Sequence, residues 1–196
     1  LQHDRQTEGH QNLVGMGAFV EMFDQDDEKV AIATILTMVK KKSPFNTMTQ
    51  ETIKEYLSKL TENTKPAWGL MTAQHMVEHL EFMLQVAIGK IDVPIITPEK
   101  HLEKYEDSLW NYKAMPKNFK LKIFKEDEVE DLRFDSLTEA KAAFFKSFEI
   151  YENFFKENPG IKTKNAMFGH LDKFHWDLLG TKHYNHHFEQ FGLLES

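Results

Sequence analysis

From Leu13 to Val39 apolar and polar positions alternate with a period of two: LVGMGAFVEMF, a polar DQDDE, then KVAIATILTMV. Both runs are rich in β-branched or aromatic residues and contain no proline, which predicts two antiparallel strands joined by a turn at Asp24 to Glu28. Along the second strand Val30, Ile32, Leu36 and Met38 take one face, and Ala31, Ala33, Ile35 and Val39 take the other. Neither face suits water. A two-stranded ribbon is marginal alone and invites edge pairing, so if the chain forms a homodimer this hairpin is expected to contribute to it by pairing edges or stacking faces. Gly15 and Gly17 lie within a strand, without the following helix that a phosphate loop requires.

After Lys40-Lys41-Lys42-Ser43-Pro44 the period becomes helical. Thr47 with Gln50 predicts a capping box, followed by Ile53, Tyr56, Leu57 and Leu60 at three-and-four spacing. From Thr72 to about Gly89 a second stripe holds Met76, Leu80, Met83, Leu84 and Ala87. Residues 97–108 predict a short helical piece, and AMPKNFKLKIFKEDEVEDLRFD an irregular connection with one strand. Ser136 and Glu139 form a capping box opening a helix through Ala140, Ala143, Phe144, Phe148, Tyr151 and Phe155, which Asn158-Pro159-Gly160 stops. A last helix is expected from about His170 to Gln190. The fold class is therefore mainly α: an antiparallel four-helix bundle over residues 43–196, preceded by a hairpin appendage over residues 1–42.

Composition narrows the chemistry. The 196 residues are 41% hydrophobic and 28% charged, which is globular rather than disordered, and the longest apolar run, Val30 to Val39, is about half of what a spanning helix needs. No basic-then-apolar leader opens the chain, and with no cysteine the expected compartment is the cytoplasm. The chain opens on Leu1 rather than Met, which fits a piece of something longer. Without thiolates, metal chemistry must use histidine and carboxylates. A net charge of -7 opposes phosphate neutralisation, so nucleic acid is not an expected partner, and neither is a membrane.

Three of the ten histidines fall in HYNHHFEQF, residues 183–191. On a helix four residues turn through about 400°, so His183 and His187 lie about 40° apart on one face, while His186 sits about 60° to the other side. A single HxxxH is as often a chance surface pair as a site. A second pair, His75 and His79, changes the balance: His79 lies on the shoulder of the apolar stripe, where an unpartnered imidazole would cost about 1–3 kcal/mol. Either a backbone carbonyl or carboxylate satisfies it, or it shares a metal with the last helix, as three neutral imidazoles do in open-sided zinc sites. His75 either adds a fourth ligand or lines the pocket. Gln190 either hydrogen-bonds a ligand histidine or faces solvent. Trp176 and Leu179 read as core beneath the site, Glu78 and Glu81 as surface charges, and Trp68-Gly69 as packing against the start of the second helix.

Two resemblances attach to these residues. KPAWGLMTAQHMVEHLEFML with NAMFGHLDKFHWDLLGTKHYNHHFEQFGL resembles the DinB-like superfamily of metal-binding four-helix bundles, over about residues 47–194. That resemblance implies a divalent metal, Zn or Ni, held by His79, His183 and His187, the set that helix rotation also selects. It implies thiol-dependent S-transferase or hydrolase chemistry, with a small-molecule thiol and an electrophilic substrate as partners. The extra His75 and the preceding hairpin depart from the family pattern. FVEMFDQDDEKVAIATILTMVKKK resembles the C-terminal strands of a MaoC-like hot-dog domain of bifunctional phenylacetate-degradation enzymes, over residues 12–42 only, without the segment that carries that family's catalytic Asp and His. The alternative reading is therefore a non-catalytic association module fused to or cut from a CoA-thioester enzyme.

Overall fold

The computed structural model describes residues 13–23 and 29–40 as backbone, and residues 48–110, 113–119 and 129–194 with their side chains. The chain divides into two units, Leu1–Pro44 and Phe45–Ser196. In the first, strands β1 (Leu13–Phe23) and β2 (Lys29–Lys40) pair antiparallel, Leu13 opposite Lys40 and Val20 opposite Ala33, with a register shift at Met22/Phe23. The expected turn at Asp24 to Glu28 lies outside the described residues.

The second unit is mainly helical. Its elements are α1 (Gln50–Lys59), α2 (Ala73–Ala87), α3 (Glu99–Asp107) running into a 3-10 turn at Ser108–Trp110, α4 (Leu137–Glu157), the short strands β3 (Thr163–Asn165) and β4 (Gly169–Leu171), and α5 (Lys173–Gln190). Local chemistry sets the starts. Thr49, Thr72, Ser136 and Asp172 each sit in extended backbone and accept a hydrogen bond from the amide three residues on, satisfying a donor that the first helical turn leaves open. The expected cap at Thr47 is thus two residues early: Thr47 is outside the described residues, and Thr49 caps α1. At α4 only half of the expected box forms, because Glu139 turns its carboxylate to the Asp135 amide instead of the cap residue.

The core joins these helices through large side chains. Met76, Val77, Leu80 and Leu84 of α2 are buried with Ala140, Phe144, Phe148 and Tyr151 of α4, and with Ile53 and Leu57 of α1. Each large apolar side chain contributes roughly 1.5–3 kcal/mol over its exposed state, several times the helix-propensity differences among the same residues. Phe144 meets Tyr184 of α5 edge-on at 6.1 Å, and Tyr56 of α1 meets Phe188 of α5 at 5.3 Å. The Lys141 ammonium donates to the Leu60 carbonyl at 2.7 Å, closing the open end of α1 from α4.

α5 begins later than its sequence pattern predicts. His170, expected at its start, lies in β4, which pairs antiparallel with β3. Asn165 accepts from the amides of Met167 and Phe168, folding the connection, and Gly169, at φ +77, closes it. This hairpin also ends α2: the buried Thr163 hydroxyl donates to the Ala87 carbonyl at 2.6 Å and accepts from the Trp176 indole at 2.8 Å. Trp176 and Leu179 are core, as expected.

Two carboxylates expected at the surface are instead buried. Glu78 and Glu81 are 5% and 1% exposed. Because α2 packs on α4 and also touches α5, its buried arc is wider than the apolar stripe alone. Glu78 accepts from Gln74 at 2.9 Å and from the Arg133 amide at 2.7 Å, while Glu81 accepts from Ser147 of α4 at 2.6 Å. The Arg133 guanidinium lies 2.8 Å from Glu81 and 3.5 Å from Glu78, supplying the charge that two buried carboxylates require.

Candidate metal centre

α2 and α5 bring three histidines to one point. His79 sits near the middle of α2, and His183 and His187 sit one turn apart on α5. The His183 Nε2 is 2.9 Å from the His79 Nε2 and 3.0 Å from the His187 Nε2. The ligand atoms of all three lie within 4.8 Å of one another, and among the described residues this trio is the group of side chains placed to hold a metal ion. His183 and His187 are buried; His79 keeps some surface, while its ring meets theirs at centroid separations of 4.8 and 5.0 Å.

The electrostatics favour neutral rings. Burial, followed by the charge of His186, holds His79 down to about 4. Burial pulls His183 and His187 well below the ordinary imidazole range, and neighbouring histidines add to that push. A neutral imidazole carries a lone pair, which is what a metal needs and what a proton would occupy. Zinc–nitrogen bonds of about 2.0–2.1 Å place tetrahedral ligands roughly 3.3 Å apart, so the two Nε2 separations require an opening of a few tenths of an ångström. The three histidines could together hold a divalent ion.

The surrounding residues divide clearly. His187 Nδ1 is 2.8 Å from the Gln190 Oε1, and Gln190 Nε2 donates to the Trp68 carbonyl at 2.7 Å, so Gln190 contacts a triad member instead of solvent. His186 stands on the flank, half-buried, hydrogen-bonded to the Met115 backbone and edge-on to Trp68 at 5.7 Å. His75 does not join the three: its Nδ1 lies 2.7 Å from the Thr72 hydroxyl and accepts from the Thr72 amide, completing a capping box on α2. Thr-x-x-His at residues 72–75 has the spacing of Ser/Thr-x-x-Glu, the signal that identifies this role in the sequence. The Trp68-Gly69 turn is tied to the end of α5: Ala67 donates its amide to the Gln190 carbonyl at 2.7 Å, and the Trp68 carbonyl accepts from the Gln190 side chain.

No family model matches the chain, and neither a curated protein nor a solved structure matches it. Among the described residues no helix is long and apolar enough to cross a membrane.

Proposed function

We propose that the helical unit is a divalent-metal protein of the DinB-like type, a four-helix bundle of α1, α2, α4 and α5 whose ion is held by His79, His183 and His187. The observation that carries this reading is the convergence of three buried or half-buried imidazole rings from two helices, with their Nε2 atoms grouped at one point. Zn or Ni suits a set of neutral nitrogen donors, and a hard ion such as Mg or Ca does not. When bound, a divalent ion on three uncharged ligands lowers the pKa of a water or thiol and so supplies a nucleophile at neutral pH. The chain's own residues hold that centre: α2 and α5 fix the rings, Trp176 and Leu179 close the core on the same face of α5, and burial keeps protons off the ligands. The reaction class is thiol-dependent S-transfer or hydrolysis, with a small thiol and an electrophile as substrates.

Elemental analysis of the purified chain, before and after chelation, tests the site. About one Zn or Ni per chain, lost to chelator and lost in His183→Ala, is the expected result; absence of stoichiometric metal after reconstitution overturns it. Turnover of a thiol with an electrophile then separates an enzyme from a metal-stabilised association module, since the latter keeps its metal and shows no rate.

A further inference from the structure

We infer that Gln190 is a positioning residue of the triad: its carboxamide fixes His187 in the Nδ1–H tautomer, so that the Nε2 lone pair faces His183 and His79, and the Trp68-Gly69 turn holds Gln190 to that task. The purpose of this arrangement rests on the metal-site reading above; its test does not.

The assignment follows from counting donors and acceptors. The Trp68 carbonyl can only accept, so the Gln190 group 2.7 Å from it is the NH2 end. The other end, Oε1, can only accept as well, and it lies 2.8 Å from His187 Nδ1. Nδ1 must therefore carry the ring proton, and a neutral imidazole has one. Flipping the carboxamide would set two carbonyl oxygens 2.7 Å apart; moving the proton to Nε2 would set the Nδ1 lone pair against Oε1. Both alternatives leave buried polar atoms facing like atoms, where an unmade hydrogen bond costs about 1–3 kcal/mol. His187 is thus left with a bare Nε2, 3.0 Å from His183 Nε2.

Gln190 can hold the tautomer only if it is itself held, and three contacts do this. Its residue is 5% exposed; its backbone carbonyl accepts from the Ala67 amide at 2.7 Å; and Gly69, at φ +80, lets the turn approach, since a Cβ there would stand 3.0 Å from Gln190 Nε2. Trp68 is in turn placed by the Lys117 ammonium over its ring at 4.2 Å and by His186 at its edge. A turn before α2 is therefore connected, through one side chain near the end of α5, to the orientation of a single ring.

Nitrogen-15 spectra of the imidazoles in the metal-free full chain read the tautomer directly, with His187 assigned by difference from His187→Ala. The wild type should show His187 as Nδ1–H. Gln190→Met, close in volume but without the strong acceptor, should move a substantial part of the population to Nε2–H, and Gln190→Glu, which keeps the acceptor, should restore Nδ1–H. Cobalt(II) titration of the same proteins should give about 10- to 100-fold weaker binding for Gln190→Met, and binding at least as tight as wild type for Gln190→Glu. Should Gln190→Met fail to fold, Gly69→Ala in an exposed turn gives the same reading, because its methyl displaces the Gln190 amide. His187 found as Nε2–H in the wild type, or unmoved in Gln190→Met and Gly69→Ala, overturns the inference. A tautomer that follows Gln190 in a chain that takes up no cobalt leaves the inference standing and removes the metal-site reading instead.

Discussion

Within HYNHHFEQF the residue next door to a member of the histidine trio has a different fate, and that contrast is open to direct measurement. His183 sets its Nε2 against that of His79 and that of His187, whereas His186 meets Trp68 and the Met115 backbone. Replacing His79, His183 or His187 with Ala should each weaken zinc binding by orders of magnitude, beyond the roughly 10 to 100-fold of a change outside the ligand set. His186→Ala should stay within tenfold. Competition titration of the four variants decides it: tight binding kept in His79→Ala, or lost as fully in His186→Ala as in His187→Ala, would put the site on another face. Acid should act on the same rings. An unfolded histidine titrates near 6.5 and His79 in the fold near 4, so between those values the unfolded chain binds the extra proton. Metal-free protein should keep this part of its stability above about 6.5 and lose it progressively as the pH falls toward 4, with His183 and His187 shifted in the same direction. Urea midpoints measured across that range should fall with pH; a flat profile would mean that the rings are not held neutral by burial. The approach of the three histidines has a local basis in the sequence: a spacing of four within α5, and the angle of His79 to the stripe of α2. The task of Gln190 was half legible, since its place on the helix was visible while the Trp68 carbonyl that orients it comes from 122 residues away.

The helices themselves carry two kinds of polar group that periodicity treats alike. His75, four residues before His79, has the spacing of a second metal ligand and the hydrogen bonds of a cap. His75→Ala should leave zinc affinity unchanged and cost α2 about 0.5–1 kcal/mol, the lower part of the range for a lost cap, because Thr72 keeps its own bond to the amide of residue 75. Thermal melting beside metal titration separates the two roles. Glu78 and Glu81 present the opposite case: charged residues beside an apolar stripe read as solvated, and their burial depends on Arg133, more than fifty residues on, in a stretch with no period of its own. Arg133→Met removes the charge that both carboxylates face. The loss should be about 3 kcal/mol, the lower end for breaking a buried pair, because Arg133 is itself 38% exposed. Glu81→Gln, which leaves an acceptor for Ser147 and removes the charge, should cost clearly less. Equal losses in the two variants would show that the Arg133–Glu81 pair itself, not the stranding of unpaired carboxylates, carries the loss. The three-residue strands β3 and β4 escaped the sequence pattern for a simpler reason: three positions are too few to establish a period of two, and the apolar residues around them extend the helical stripe of α5 backward.

For the whole molecule the question is whether residues 45–196 depend on what precedes them. The chain divides between Pro44 and Phe45, and the two units differ in kind: paired strands in the first, helices in the second. Among the described residues the buried core of the helical unit runs from Ile53 on α1 to Phe191 beyond α5, and the three clustered histidines, the cap residues and the Arg133 cluster all lie in the same unit. A unit with its own core is expected to fold alone. Deleting residues 1–44 should therefore leave helical circular dichroism per residue undiminished, a single cooperative unfolding transition, and zinc affinity equal to that of the full chain. Should the homodimer expected from the two-faced apolar strands exist, the truncation should abolish it while sparing the metal, and light scattering alongside the titration reads both. Loss of cooperative unfolding in the truncated chain would mean that the strands complete the helical core, and a dimer that survives truncation would move the association surface onto the helices.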